Sequence, residues 1–199
     1  MNRLALEWWV HDNRRLTMAA LIVCAAGVSL ATRPGLMAET RGEEAVDALG
    51  WVIVGAGVAL RLWATAFIGG RKNRQLVTTG PYRMVRHPLY LGSALALVGI
   101  LLIAQRIWAL VPAAVVFGLY GLATAMEDRR LNKQFPTQSE EFQRRTRSLW
   151  PGLGQLSVAL RDRPGPLSRR LMFRELGCSI GFALVALVAE ISEAAWWCI

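Results

Sequence analysis

The sequence predicts an all-α fold, a membrane helix bundle of about five transmembrane helices in a single integral membrane domain over 1–199. Hydrophobic residues make up 54% of the chain, and the mean hydropathy is +0.33. A soluble domain has about 45–50% apolar residues and interrupts its apolar runs more often. The runs here are long enough to cross a bilayer core of about 30 Å, which takes roughly 20 helical residues.

The charge pattern supports the same fold class. The formal net charge is +9, and most of the lysines and arginines lie in 69–88 and 127–175, two stretches that flank apolar runs. Basic loops beside transmembrane helices follow the positive-inside rule, so both stretches are expected to be cytoplasmic. Basic excess is also typical of nucleic-acid binding, but this distribution argues against nucleic acid as the main partner.

Five apolar runs are predicted as membrane spans. In chain order they cover 17–32, about 48–68, 89–104, 107–126 and 176–197. Gln105-Arg106 forms the short turn between the third and fourth spans, and the order places the N-terminus inside. The second span contains Arg61, and a charge within a span is costly and often functional. Because Arg61 lies near the predicted cytoplasmic end, we expect its side chain to reach the headgroups instead.

The polar stretch 127–175 is expected to begin with a new helix. Leu131, Phe135 and Phe142 form one apolar stripe along it, interrupted at Pro136. The segment 161–170 contains two prolines and a glycine and is predicted to be a linker.

The first segment of chemical interest is LVTTGPYRMVRHPLYLG, residues 76–92. Gly80-Pro81 predicts a turn, and Pro88 suits the first turn of a helix because its missing N–H is not needed there. The helix N-terminus leaves free backbone donors, which favour a carboxylate. The alternative is an interfacial anchor, since Tyr, Arg and His all favour the headgroup layer.

The second segment is Glu127-Asp128, where the fourth span enters the cytoplasm. Adjacent helical residues point roughly 100° apart, so at most one of the two carboxylates need face a pocket. Such an acid is either an ordinary solvated helix end or the partner of a cation such as an ammonium or sulfonium. The hairpin 89–126 returns it to the membrane face of Arg86-His87, which predicts a cleft for a zwitterionic, aromatic ligand.

The two segments together resemble the isoprenylcysteine carboxyl methyltransferase family and its phospholipid methyltransferase relatives. The family pattern has Leu-Val, Gly-x-Tyr, Arg-His-Pro-x-Tyr-x-Gly, then Glu-Glu-x-x-Leu-x-x-x-Phe-Gly, two spaced tyrosines and a Pro. The residues that match in register are Leu76, Val77, Tyr82, Arg86, His87, Pro88, Tyr90, Gly92, Glu127, Leu131, Phe135 and Pro151. The resemblance covers about 74–151.

The resemblance implies an integral membrane enzyme, multi-pass, that binds S-adenosyl-L-methionine in a cytoplasmic pocket and methylates a lipophilic acceptor. Its core would cover about 48–151, with 176–197 as an extra C-terminal helix. The implied cofactor-binding residues are Arg74, Gln75, Leu76, Val77, Tyr82, Arg86, His87, Pro88, Leu89, Tyr90 and Glu127. Glu127 would bind the ammonium of the cofactor, and the Arg86-His87 turn its carboxylate. No metal is expected, since the three cysteines lack a metal-binding spacing.

The sequence also departs from the family pattern. The second Glu is Asp128, the Gly after Phe135 is Pro136, and Ser139 and Phe142 replace the two tyrosines. Family members that act on prenylated proteins have an Arg four residues before the key Glu, and here that residue is Ala123. Ala123 therefore disfavours a prenylcysteine carboxylate as the acceptor, and a small lipophilic acceptor or a phospholipid amine is an equal alternative.

Two other functions remain open at this point. A membrane sterol or enone reductase has a similar C-terminal half, but usually carries Asn before the Tyr of the motif, where this chain has Leu89. The third possibility is a non-catalytic membrane scaffold that retains the pocket.

Overall fold

The computed structural model describes residues 27, 42–69 and 75–197, and the elements in these ranges are helices joined by turns and loops. No strand occurs in this part of the chain, so the all-α prediction is confirmed for it. The α-helices, numbered along the described chain, are α1 Glu43–Ile68, α2 Pro81–Met84, α3 Pro88–Ala104, α4 Leu110–Gln134, α5 Pro136–Arg145, α6 Leu156–Arg161 and α7 Arg169–Trp197. Short 3-10 helices cover Ile107–Ala109 and Leu153–Gln155.

Among the described residues, three helical segments are long and apolar enough to cross a membrane: Glu44–Ile68, Ile107–Gln134 and Arg169–Ser192. They correspond to the second, fourth and fifth predicted spans. The third predicted span is the apolar helix α3, which has 17 residues and is therefore about 26 Å long. The first predicted span, 17–32, lies outside the described residues apart from the helical Gly27, so the total of five stays a prediction.

The helix boundaries correct the sequence analysis around residue 127. No new helix begins there, because α4 continues from the apolar run through Glu127 to Gln134. The residues after the span contain no Gly or Pro and include good helix formers, so nothing interrupts the hydrogen-bond ladder. The chain breaks at Phe135 and restarts at Pro136, which occupies the first position of α5.

A similar correction applies to the C-terminal helix, which begins at Arg169 and not near residue 176. The predicted linker is therefore shorter, and covers the irregular residues between Arg161 and Arg169. Arg169 and Arg170 continue the helix because arginine is a good helix former even where the segment is too polar to read as a span.

The described residues fall into two compact units. The first combines the start of α1, the segment 96–126 and the end of α7. Its helices α1 and α3 pack closely through glycines, since a Cβ at Gly99 would lie 2.5 Å from the carbonyl oxygen of Gly50. Small residues at such a position let two helix backbones approach closely, as is common in membrane bundles.

The turn between α3 and α4 belongs to the first unit and is built from polar contacts. Gln105 has a φ of 45°, and its Nε2 donates to Asp47 Oδ1 at 3.1 Å. Arg106 is 2% exposed and donates through Nη2 to Ser192 Oγ at 3.2 Å. The predicted Gln105-Arg106 turn is thus confirmed, and its polar side chains are tied to the neighbouring helices.

The second unit comprises 55–95 and 127–180 and contains the segments of chemical interest. Its apolar core is formed by Ala64, Phe67, Val77, Tyr82 and Phe142. The backbone enters the turn before α2 at Gly80, whose φ is 62°. A Cβ at Gly80 would lie within about 2.6 Å of the Phe67 ring, so both the left-handed conformation and the close packing require glycine.

Arg61 does not reach toward the headgroups as expected, and this prediction was wrong. Its guanidinium forms an ion pair with Glu175 of α7, and Nη1 donates to the Leu89 carbonyl at 3.1 Å and to the Ser93 hydroxyl. The Arg61 and Glu175 side chains are 13% and 6% exposed. Within a span an ion pair inside the protein replaces the solvation that water would provide.

Breaking the Arg61–Glu175 pair should destabilise the fold strongly. In Glu175→Gln the Arg61 charge loses its carboxylate, and losing one partner of a buried pair costs about 3–5 kcal/mol. The free energy of unfolding, measured by chemical denaturation in detergent micelles, should fall by about that amount.

A matched control is Glu141→Gln, which breaks an exposed i,i+4 pair with Arg145 and should cost about 0.5 kcal/mol or less. Equal stabilities of the two variants would contradict the structural role of Glu175.

Candidate active site

The candidate site is built around the turn that leads from α2 into α3. Gly80 and Pro81 start α2, and Val85 ends it in an extended conformation. His87 follows with 3% exposure, and its carbonyl accepts hydrogen bonds from the N–H groups of Tyr90 and Leu91. The prediction that Pro88 begins a helix is confirmed.

The backbone of this turn is held by the segment that follows α5. The N–H of Arg86 donates to the Arg147 carbonyl at 2.9 Å, and the N–H of His87 donates to the Ser148 carbonyl at 3.2 Å. The N–H of Gly152 donates to the Met84 carbonyl at 2.9 Å. These bonds satisfy backbone groups that would otherwise be unpaired near the buried His87, and so they fix the turn that carries both basic side chains.

The side chains of Arg86 and His87 converge on Asp128 of α4. Arg86 Nη1 donates to Asp128 Oδ2 at 2.9 Å, and His87 Nε2 lies 2.9 Å from Asp128 Oδ1. An ionised carboxylate only accepts, so Nε2–H is the donor in this contact. The Arg-His turn and the acidic end of α4 therefore meet, as the sequence predicted, and Asp128 makes both contacts.

Glu127 points elsewhere on the same helix, as the 100° offset between neighbours requires. It is half-buried, and among the described residues it has no hydrogen bond or ion pair. Burial raises the pKa of Tyr82 above its ordinary value, and the negative charges of Glu127 and Glu175 raise it further. Glu127 is thus close enough to act on Tyr82, while its carboxylate is available to a ligand.

Two buried donors of the candidate site have no hydrogen-bond partner within the described part of the chain. They are the Tyr82 hydroxyl and Arg86 Nε. Leaving a buried polar atom unpaired costs about 1–3 kcal/mol, so such atoms are rare in native proteins. The Tyr82 hydroxyl lies near the Glu127 carboxylate, whose negative charge raises the Tyr82 pKa, and Arg86 lies against Asp128, the next residue of α4.

Most of the other residues predicted for the site are apolar or aromatic and lie in the second unit. Val77 belongs to the core around Tyr82, and Leu76 and Leu89 pack against it. The Tyr90 ring stands edge-on to His87, with centroids 6.0 Å apart. Gln75 is exposed, Pro88 is buried in the first turn of α3, and Arg74 lies outside the described residues.

Sequence reasoning missed Asp162, which lies at the end of α6 in the predicted linker. Asp162 Oδ2 accepts from the Gly80 N–H at 2.8 Å and from Arg83 Nε at 3.2 Å. These two donors hold the pKa of Asp162 below its usual value, the Gly80 N–H having the larger effect. The available signal was composition: Asp162 is the only acidic residue between Glu141 and Glu175 in an arginine-rich stretch.

Comparison with known proteins confirms the resemblance carried by these motifs. Residues 48–138 match the model of the phospholipid methyltransferase family. This range contains the Arg-His turn, Glu127 and Asp128. No solved structure matches the chain.

Two curated relatives are similar to this chain. The nickel-cobalt-cadmium resistance protein NccN of Alcaligenes xylosoxydans xylosoxydans is 32% identical over 140 residues, 70% of this chain and 65% of the relative. The cobalt-zinc-cadmium resistance protein CzcN of Cupriavidus metallidurans is 38% identical over 106 residues, 53% of this chain and 49% of the relative. The matches thus span less than two thirds of each relative's length. Within the part of this chain that the structure describes, no group of three His, Cys, Asp or Glu side chains could hold a metal ion.

The depressed pKa of Asp162 predicts an acid-sensitive contribution to stability. The contact is at full strength above the unfolded-state pKa, about 3.9 for Asp, and is lost as pH falls through the lower folded-state value. Wild type should therefore be more stable than Asp162→Asn at pH 6, and the difference should shrink as pH falls below about 4.

Thermal unfolding of both proteins in detergent from pH 6 to pH 3 would measure this difference. A constant difference over the whole range would show that the Asp162 charge does not stabilise the turn.

Proposed function

We propose that this protein is a membrane methyltransferase that uses S-adenosyl-L-methionine to methylate a lipophilic or lipid-embedded acceptor. The observation that carries the proposal is the meeting of the Arg86-His87 turn with the acidic end of α4, beside the unpaired Tyr82 hydroxyl. The match of residues 48–138 to the phospholipid methyltransferase family supports the same activity, and so do the helices long enough to cross a membrane.

Each end of the cofactor has a suitable side chain. Glu127 would bind its ammonium, because it is a half-buried carboxylate without a described partner. Arg86 Nε and the N-terminus of α3 would bind its carboxylate. Val77, Leu89 and Tyr90 offer the apolar and aromatic surface that the adenosyl group requires. Asp128 would act indirectly, since it fixes the rotamers of both Arg86 and His87.

When bound, the cofactor supplies a methyl group on a positively charged sulfur. Transfer of that methyl group to the acceptor atom would break the carbon–sulfur bond and release the cofactor as a neutral thioether, so the protein would mainly have to align the two molecules and exclude water. The residues described above would contribute by orienting the cofactor and by surrounding it with buried side chains. No residue of the chain is required to form a covalent bond.

The acceptor is proposed to be a small lipophilic molecule or a phospholipid amine that enters from the bilayer. Ala123 stands where family members acting on prenylated proteins have an arginine, which disfavours a prenylcysteine carboxylate. The family match to phospholipid methyltransferases favours the lipid amine. The active site is proposed to face the cytoplasm, because its loops carry most of the basic residues.

A part in metal resistance is a second proposal, carried by the names of the two relatives. Methylation of a membrane component would then support the resistance that those proteins are named for. Growth in cadmium of cells that express the wild type or Glu127→Ala would test this; equal growth would argue against it.

Binding of S-adenosyl-L-methionine to the purified protein tests the main proposal. Glu127→Ala should raise Kd about tenfold or more, because a hydrogen bond to a charged group contributes about 1.5–3 kcal/mol. His87→Ala should also raise Kd, because it removes one of the two contacts that hold Asp128 against the Arg86-His87 turn. Isothermal titration in detergent would measure Kd. Glu141→Ala, which removes an exposed carboxylate, is the matched control and should bind like wild type.

Two further results would redirect the proposal. Binding of reduced nicotinamide adenine dinucleotide phosphate instead would indicate the reductase, and binding of neither ligand would favour the scaffold. Membranes incubated with the cofactor labelled in its methyl group should release the label with the lipid extract. Label in protein would revive the prenylcysteine acceptor.

A further inference from the structure

The segment 150–170, which leads from the Arg147-Ser148 stretch that binds the Arg86-His87 turn into α7, exposes several large apolar side chains. Trp150 is 73% exposed, Leu160 64% and Leu167 60%, with Leu156 and Val158 at 39% and 44%. Leu156 and Leu160 are four residues apart on α6 and so lie on one side of it. None of these residues is part of a helix that could span a membrane.

The same segment is basic. It contains Arg161, Arg163, Arg169 and Arg170, all exposed, and Asp162 is its only acidic residue. The Asp162 carboxylate is engaged by Gly80 and Arg83, so the exposed charge is positive. Exposed apolar and aromatic groups interleaved with arginines are typical of a surface that lies in the headgroup layer of a membrane.

The position of the segment favours the bilayer over an acidic protein as its partner. Arg169 begins α7, and its segment Arg169–Ser192 is long and apolar enough to cross a membrane. Residues directly before such a helix are held at the membrane surface, where anionic lipids attract arginines. A separate acidic protein would complement the positive charge, but it would not explain why Trp150, Leu160 and Leu167 are exposed.

The segment is also joined to the candidate site. Asp162 lies between Arg161 and Arg163, and it binds the Gly80 N–H and Arg83 Nε at the turn that carries Tyr82. Gly152, near the other end, donates to the Met84 carbonyl. Any force that fixes the segment therefore also fixes the turn from Gly80 to Met84.

We propose that the 150–170 segment lies on the membrane surface and binds anionic phospholipid headgroups, and that Asp162 transmits this binding to the Gly80–Arg83 turn. Anionic lipid would then order a turn of the candidate site without entering it. This role is independent of the proposed methyl transfer, because it requires neither cofactor nor acceptor.

Hydrogen exchange of the full chain in lipid nanodiscs tests the proposal. Amides of 150–170 and of 80–87 should exchange about threefold or more slowly in phosphatidylcholine with one third phosphatidylglycerol than in pure phosphatidylcholine. Raising the salt concentration should reduce the difference, since headgroup attraction is screened. Equal exchange in the two lipids would overturn the proposal. Because this comparison uses the wild type, a folding defect caused by a substitution cannot explain that result.

Three variants separate lipid binding from its transmission. Arg161→Gln/Arg163→Gln should abolish the lipid response in both segments. The control Arg144→Gln/Arg145→Gln, which removes two exposed arginines from α5, should keep it. Asp162→Ala, which removes the acceptor of both hydrogen bonds, should keep the response in 150–170 and lose it in 80–87, which a general loss of folding would not produce.

The remaining outcomes also decide the question. If both double arginine variants lost the lipid response equally, the response would depend on the net charge of the protein and not on the 150–170 segment. That result would overturn the proposal. Protection by soluble polyglutamate, without protection by anionic lipid, would assign the surface to an acidic polypeptide and overturn it as well. A lipid response in a protein that binds no S-adenosyl-L-methionine would support this inference while the proposed function failed.

Discussion

The contact on which the candidate site depends is the Asp128 carboxylate, which accepts hydrogen bonds from both Arg86 and His87. The side chains of Arg86 and His87 are thereby fixed against α4, which is distant in sequence. His87 is almost fully buried, so without this acceptor its ring nitrogen would be left unpaired at a cost of about 1–3 kcal/mol. The arrangement leaves Glu127, one residue earlier, available to a ligand.

Segments after the family match contribute much of the support for this site. Arg147, Ser148 and Gly152 bind the backbone of the turn, and Asp162 holds its beginning. Glu175 of α7 binds Arg61, which in turn holds the first turn of α3 at Leu89. The C-terminal third of the chain is therefore part of the same construction, and α7 is more than an additional membrane anchor.

The exposed surface of the long apolar helices and the interior of the second unit differ in the contacts that they make. Along the helices that are long and apolar enough to cross a membrane, large apolar side chains such as Trp108 and Val111 are exposed, as expected of a surface that faces lipid. Inside the second unit, the ion pairs Arg61–Glu175 and Arg86–Asp128 replace solvation by water, because a buried charge without a partner is costly. The polar contacts thus select which helices meet, while the exposed apolar surface indicates only that the long helices could cross a membrane.

The sequence by itself determined the helical class, most of the apolar runs, the Gly80-Pro81 turn, the helix start at Pro88, and the meeting of the Arg-His turn with an acid near 127. These follow from composition, proline chemistry and motif spacing, which are local properties. Only the tertiary structure decided that Asp128 is the acid in contact, that Arg61 pairs with Glu175, and that Asp162 holds the turn. The partners in these contacts are 42, 114 and 82 residues apart, and which of several charges pair over such distances depends on how the helices pack.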